Sequence, residues 1–153
     1  MYKILFVCTG NTCRSPMAET LARDIFKKQG LKTEVLSAGV HAQEGVKASP
    51  NAVYAMKKMG LNLKNHKSQL INEYLIEWSN LVLTMTKTHY NILKSMYPKS
   101  DYIFTLGEYV GTNEDIPDPF GLDEDVYLSL AGELENMLKS MAVKLQKENI
   151  WKN

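Results

Sequence analysis

Apolar and polar positions change period repeatedly along the chain, and the changes mark out strands and helices in turn. Ile4, Leu5, Phe6 and Val7 form an unbroken apolar run that ends in Cys8, the pattern of a strand buried on both faces. From Met17 the apolar residues recur at helical spacing, as Leu21, Ala22, Ile25 and Phe26, and Gln29-Gly30 supplies the stop. Thr33 to Val40 reads as a second strand that passes through Ser37-Ala38-Gly39. A loop with His41, Gln43 and Gly45 follows, and Ser49-Pro50 then opens a second helix through Ala52, Val53, Met56 and Met59 to Gly60. The polar connection from Asn62 to Gln69, which holds His66, leads to a short helix around Asn72 to Trp78 and a third strand, Leu81 to Met85. His89 to Tyr97 reads as helical, Pro98 ends it, and Tyr102 to Leu106 is a fourth strand. The residues GEYVGTNEDIPDPFG then read as one long loop, and such loops in compact domains are commonly functional. Leu130, Leu134, Met137, Leu138, Met141 and Leu145 place a single apolar stripe on the last helix.

Strands that alternate with helices predict an α/β fold: one doubly wound domain over residues 1–153, its parallel sheet covered by helices on both faces. Ligands of such sheets bind at the carboxyl ends of the strands. The loops after the first and fourth strands both open there. No internal repeat, low-complexity segment or linker interrupts the pattern.

The junction of the first strand and helix carries the chemistry. Cys8 to Ser15, CTGNTCRS, holds no apolar side chain larger than Cys13, and Ser15-Pro16 is expected to open the helix with Ser15 at its N-cap. A tight loop on a helix N-terminus turns backbone N–H groups inward and adds the positive end of the helix dipole, so it forms an anion site. Gly10 lets the turn close, and the planar fork of Arg14 can grip two phosphate oxygens. Cys8 lies beneath the same cradle. Surrounded by N–H donors, Arg14 and the Ser15 hydroxyl, its thiol is expected below the ordinary pKa, as a nucleophile facing phosphorus. The competing reading is a strand-end cysteine packed inertly; the surrounding strand, glycine, Ser-Pro and helix weigh against it.

Composition narrows the class of protein. The 153 residues are 44% hydrophobic and 23% charged, as in an ordinary soluble domain, and no apolar run approaches the length of a membrane span. The N-terminus lacks the layout of a signal peptide, so a cytoplasmic location is expected. Cys8 and Cys13 share one loop and cannot staple a fold, which fits a reducing compartment. Three scattered histidines and a single C-x4-C pair give no zinc spacing, so neither metal nor cofactor is implied. A net charge of +1 gives no case for nucleic-acid binding. Charge is unevenly spread, however: Asp101 to Leu138 contains ten of the 17 acids and no Lys or Arg. That run is either a solvated face or an attractor of basic protein substrates. Kinase and dehydrogenase readings lack their parts, because neither G-x-x-x-x-G-K-[ST] nor G-x-G-x-x-G is present.

CTGNTCRS followed by PMAE resembles the active-site loop of the low-molecular-weight protein tyrosine phosphatase family. Ser37-Ala38-Gly39, His66 and Asp118-Pro119 match later landmarks in order, so the likeness covers nearly the whole chain. The resemblance implies strand order 2-1-3-4 and a cysteinyl-phosphate mechanism, with Cys8 as nucleophile and the segment Thr9, Gly10, Asn11, Thr12, Cys13, Arg14 and Ser15 as phosphate loop. Such a reaction needs an acid for the leaving group and then a base for water. From the residues alone Asp115, Asp118, Asp123, Glu124 and Asp125 are all candidates; the family's acid matches Asp118. Asn11 matches the residue that holds the cradle in shape, with Ser37 and His66 in its supporting network. His41 and His89 match no landmark and are expected at the surface. The implied partners are phosphorylated proteins, with the chain expected to act as a monomer.

Departures from the family pattern bear on substrate. Thr12 stands where tyrosine phosphatases of the family have a larger aliphatic residue, no aromatic lies between Val40 and Asn51, and Gly121 follows Asp118-Pro119-Phe120 in place of an aromatic. That set resembles the protein-arginine phosphatase branch. A phosphoguanidinium suits a small hydroxyl and a carboxylate better than apolar walls, and Phe120 can stack on its plane. The alternatives are a protein-tyrosine phosphatase of the same family and, more remotely, a noncatalytic oxyanion-binding or phospho-carrier domain. An arsenate reductase would need further redox cysteines. Cys13 either packs under the loop or forms a protective disulfide with Cys8.

Overall fold

The computed structural model describes residues 1–148. Their order is β1 (Tyr2–Cys8), α1 (Arg14–Lys28), β2 (Thr33–Gly39), α2 (Pro50–Lys58), α3 (Glu73–Trp78), β3 (Leu81–Thr84), α4 (Lys87–Met96), β4 (Ile103–Thr105), α5 (Leu106–Val110) and α6 (Glu124–Glu148). The strands form one parallel sheet in the order β2-β1-β3-β4, as the family resemblance implied. The expected domain span of 1–153 includes residues 149–153, which lie outside the described residues.

The unbroken apolar run of β1 follows from its central place. Successive side chains point to opposite faces, so Ile4, Phe6 and Cys8 enter one core with α1, α2 and α6, while Leu5 and Val7 enter a second core with α3 and the Leu93 face of α4. Every residue of β1 from Ile4 to Cys8 is buried. On α6 the expected stripe is present, with Leu130, Leu134, Leu138, Met141 and Leu145 buried; Tyr127, Ala131 and Ala142 complete it, and Met137 is only partly covered.

Two local expectations are corrected. Helix α1 begins at Arg14 with Cys13 at its N-cap and no side-chain cap bond, so Ser15 is not the cap. Its hydroxyl is turned to Cys8 instead. The long loop is interrupted by α5, started by Thr105, whose side chain accepts from the Glu108 amide, and ended by Gly111 at φ 89. Five residues are too few for a helical period to register in the sequence. By contrast Ser49-Pro50 starts α2 as read, with the Ser49 hydroxyl accepting from the Ala52 amide.

All four strands point their carboxyl ends the same way, and the loops there are tied together. Val40 N–H donates to Cys8 O (2.9 Å), His41 N–H to Thr9 O (3.0 Å), Met85 N–H to Val7 O (2.9 Å) and Ile116 N–H to Met85 O (2.9 Å). Gly39 ends β2 directly against the loop after β1. A methyl group there would collide with Thr9 O, and would lie 2.9 Å from Ala42 Cβ and 3.0 Å from Asn11 N. Two of these neighbours are backbone, which cannot swing aside. Gly39→Ala is therefore expected to cost about 1–3 kcal/mol, read as a lower denaturation midpoint, and to lower anion affinity at the loop in parallel.

Candidate active site

The loop from Cys8 to Ser15 closes around Asn11, which has a left-handed backbone (φ 57) and no exposure. Asn tolerates this region better than other residues with a Cβ. Its backbone N–H donates to Cys8 Sγ (3.3 Å), and its carbonyl accepts from His66 Nε2 (2.7 Å), which fixes the protonated nitrogen of that ring. The side-chain amide donates to Ser15 Oγ and Ser37 Oγ, both at 2.9 Å, and its oxygen accepts from the Gln69 amide at 2.9 Å. Ser37 in turn donates to Glu19 Oε1 (2.6 Å). Asn11, Ser37 and His66 are thus joined in one hydrogen-bonded group.

Proton directions in this chain are narrowed by the donors available. Both amide hydrogens of Asn11 are spent on serine oxygens, and Ser37 spends its own on the carboxylate of Glu19. Ser15 Oγ, already an acceptor, is left with one proton, and lies 2.8 Å from Cys8 Sγ and 3.4 Å from Ala38 O, to which it can also donate. The contact to sulfur is the shorter, and a hydroxyl proton turned to it stabilises a thiolate. The helix dipole of α1 acts in the same sense. Yet Cys8 is only 3% exposed, and burial pushes its thiol up by more than the Ser15 hydroxyl and amide, the Asn11 amide and Arg14 pull it down. The net shift is upward, which corrects the depression expected from the sequence: the same closure that gathers donors around the sulfur also removes water from it.

Arg14 is buried, with Nη1–H donating to Ile116 O (3.0 Å) and Nη2 lying 3.8 Å from Asp118 Oδ2. Ile116 anchors the acid loop beside β3, so among the sequence candidates Asp118 is the carboxylate brought to Arg14. Its other oxygen accepts from the Phe120 amide (3.0 Å), leaving Oδ2 directed at the guanidinium. Asp115 is turned away and caps α4 through the Lys87 amide (2.9 Å). Phe120 is 80% exposed. Thr12 is half-buried, and its hydroxyl has only a 3.8 Å contact with Cys13 Sγ. Cys13 is free and buried, donating to Ser49 Oγ (3.3 Å) with Tyr127 Oη at 3.4 Å, which is the packed state weighed from the sequence.

His89 was missed. It is not at the surface but buried, with Nε2 2.8 Å from Thr9 Oγ1 and Nδ1 2.9 Å from Thr86 Oγ1. The signal was Thr86, three residues earlier, whose hydroxyl caps α4 by accepting from the His89 amide (3.2 Å) and holds the ring inward. His41, by contrast, is exposed as expected. Two clefts of about 570 Å3 each lie away from the loop, one at Met1 and Trp78 and one at Phe104 and Lys144. A phosphate cradle is defined by its donors and needs no such volume. No group of three or more His, Cys, Asp or Glu among the described residues is placed to hold a metal.

The family described as low molecular weight phosphotyrosine protein phosphatase matches residues 3–150. This chain belongs to that family. The phosphatase chain is 46% identical over 147 residues to a protein-arginine-phosphatase of Bacillus subtilis, covering 95% of this chain and 97% of the relative. It is 38% identical over 125 residues to a low molecular weight protein-tyrosine-phosphatase, PtpB, of Staphylococcus epidermidis, covering 82% and 86%. Among solved structures it superposes at a TM-score of 0.92, with 45% identity and 95% and 96% coverage, on the YwlE arginine phosphatase, a cysteine-to-serine mutant with a phosphorylated active-site serine.

Two outcomes follow for this member of the family. Ser15→Ala removes the hydroxyl that lies 2.8 Å from Cys8 Sγ and pulls its pKa down, so the pH profile of thiol alkylation by iodoacetamide should move to higher pH, with the fold retained. His89 is held neutral: burial and then Arg14 push it from 6.5 down to about 4, against Asp115 and Asp118. The unfolded chain takes up that proton first, so this group weakens the fold as pH falls from about 6.5 to about 4 and contributes nothing above 6.5. His89→Asn should flatten that part of the stability profile in urea titrations.

Proposed function

We propose that this phosphatase hydrolyses phosphoarginine in proteins through a cysteinyl-phosphate intermediate. The observation that carries the mechanism is the convergence on one cradle of Cys8 Sγ with its Ser15 and Asn11 donors, Arg14, and Asp118 at 3.8 Å from that guanidinium. In the first step the Cys8 thiolate attacks phosphorus, the P–N bond breaks, and the guanidine nitrogen takes the Asp118 proton as it leaves. In the second, Asp118 takes a proton from water, whose oxygen attacks phosphorus and expels the thiolate. Loop amides and the Arg14 fork hold the equatorial oxygens in both steps. Thr9, Gly10, Thr12 and Cys13 contribute the remaining loop backbone.

Thr12 and Phe120 support the choice of substrate. Among the described residues the Thr12 hydroxyl has no short hydrogen-bond partner, so it is available to a polar guanidinium, and Phe120 is largely exposed beside Asp118. The Bacillus subtilis relative and the YwlE structure, named for arginine phosphatase, are 46% and 45% identical to this chain, against 38% for the relative named as a protein-tyrosine-phosphatase. Dephosphorylation of phosphotyrosine is the second reading, favoured by the Staphylococcus relative. A cytoplasmic setting and action as a monomer belong to the same proposal, which agrees with the free thiols of Cys8 and Cys13; among the described residues no helix is long and apolar enough to cross a membrane. A Cys8–Cys13 disulfide would require Cys13 to give up Ser49 and Tyr127.

Phosphate release from an arginine-phosphorylated protein and from a phosphotyrosine peptide tests the assignment, with Cys8→Ser as the inactive control. Preference for phosphoarginine is expected, narrowing in Thr12→Ile. Asp118→Asn should lower kcat by about 10^2–10^4. Preference for phosphotyrosine would select the second reading, and release from neither would point to an oxyanion-binding domain.

A further inference from the structure

We propose that the hollow beside the acid loop is a subsite for a lysine or arginine side chain that flanks the phosphorylated residue of a protein substrate. The inference rests on the reading of this chain as a protein phosphatase and adds a recognition site to it.

The hollow measures about 170 Å3 and lies between the acid loop and the first turns of α6, with Asp118, Leu122, Val126, Leu130 and Glu133 in its walls. That is room for one side chain. Its floor is apolar: Leu130 is buried beneath, while Leu122 and Val126 remain 50% and 39% exposed. With Phe120 they place three large exposed apolar residues within seven positions. A soluble protein keeps such a cluster open to water chiefly where something docks.

The rim decides what docks. Asp118 stands at one side and Glu133 at another, and no lining residue is basic. Glu133 is exposed and makes no ion pair among the described residues. An apolar floor under a carboxylate rim fits a long basic side chain, whose methylenes cover Leu122 and Val126 while its charged head stays at Glu133 in water. A purely apolar side chain would leave the carboxylates unanswered, and an acidic one would be repelled by them.

Asp118 fixes the relation to the reaction. Its Oδ2 faces Arg14, while the residue also forms a wall of the hollow. An extended peptide advances about 3.3 Å per residue, so a residue one or two positions from the phosphorylated one reaches the hollow as the phosphate enters the cradle. The acidic stretch from Asp101 to Leu138 gives the same preference a longer-range component.

The test is kcat/KM on phosphorylated peptides carrying Lys, Ala or Glu at each of the two positions on either side, beside a small aryl phosphate that has no flanking residue. The lysine peptide is expected to be preferred over alanine by about fivefold at one position, the size of an exposed ion pair, and less at high salt. Glu133→Lys should reverse the preference toward the glutamate peptide, Val126→Ser should reduce it, and both should hydrolyse the aryl phosphate at the unaltered rate. Equal rates for the three peptides, or a lysine preference unchanged by Glu133→Lys, would overturn the subsite. If neither the aryl phosphate nor any peptide turns over, the phosphatase reading itself fails. Calorimetric binding of the same peptides to the Cys8→Ser protein then decides the subsite by the same criteria.

Discussion

Asn11 in its left-handed conformation is the constraint on which the rest of the site depends. A non-glycine residue there costs about 1–2 kcal/mol, and Gly would avoid that cost. Gly would also lose the amide that reaches Ser15, Ser37 and the Gln69 backbone at once. The conformation turns the Asn11 N–H toward the Cys8 sulfur, while the amide holds the Ser15 oxygen beside that sulfur. Strain and donor supply therefore come from one residue. Around it, every polar side-chain atom buried among the described residues has a partner, as a low-dielectric network requires.

The sheet converts this local arrangement into a two-part candidate site. Parallel strands bring all their carboxyl ends to one edge, so the loop after β1 and the acid loop beyond β4, a hundred residues apart in the chain, come within reach of each other. Arg14 is the joint between them. Its Nη1–H holds Ile116 O while Nη2 faces Asp118, so the residue proposed to grip phosphate also sets the acid loop in place. His89 braces the cradle through Thr9, and because its ring is kept neutral it adds no positive charge of its own there.

Electrostatics are divided across the site in a way that suits a cationic leaving group. The floor of the cradle is positive, from Arg14 and the amides at the start of α1, whereas the rim formed by the acid loop is negative. A phosphate on a guanidinium presents the matching order of charge, anionic at the phosphorus end and cationic beyond it. Phosphotyrosine would offer the first without the second.

Much of this was legible in the sequence because it depends on neighbours along the chain. The apolar run of β1, the cradle from Cys8 to Ser15, the Ser49-Pro50 start of α2 and the α6 stripe are all written within a turn or a strand of themselves. The strand order came from the family's landmarks, since periodicity says that strands are buried but not which lie side by side. Three matters only the tertiary structure decided. The residues alone left five acids open and the resemblance pointed to Asp118; which of them meets Arg14 in space depends on where Ile116 docks against β3. Whether His89 is surface or support depends on the loop that packs over α4. Whether Cys8 is favoured as thiol or thiolate depends on how much water the closed loop excludes, and burial is a property of the whole fold that no local stretch of residues carries.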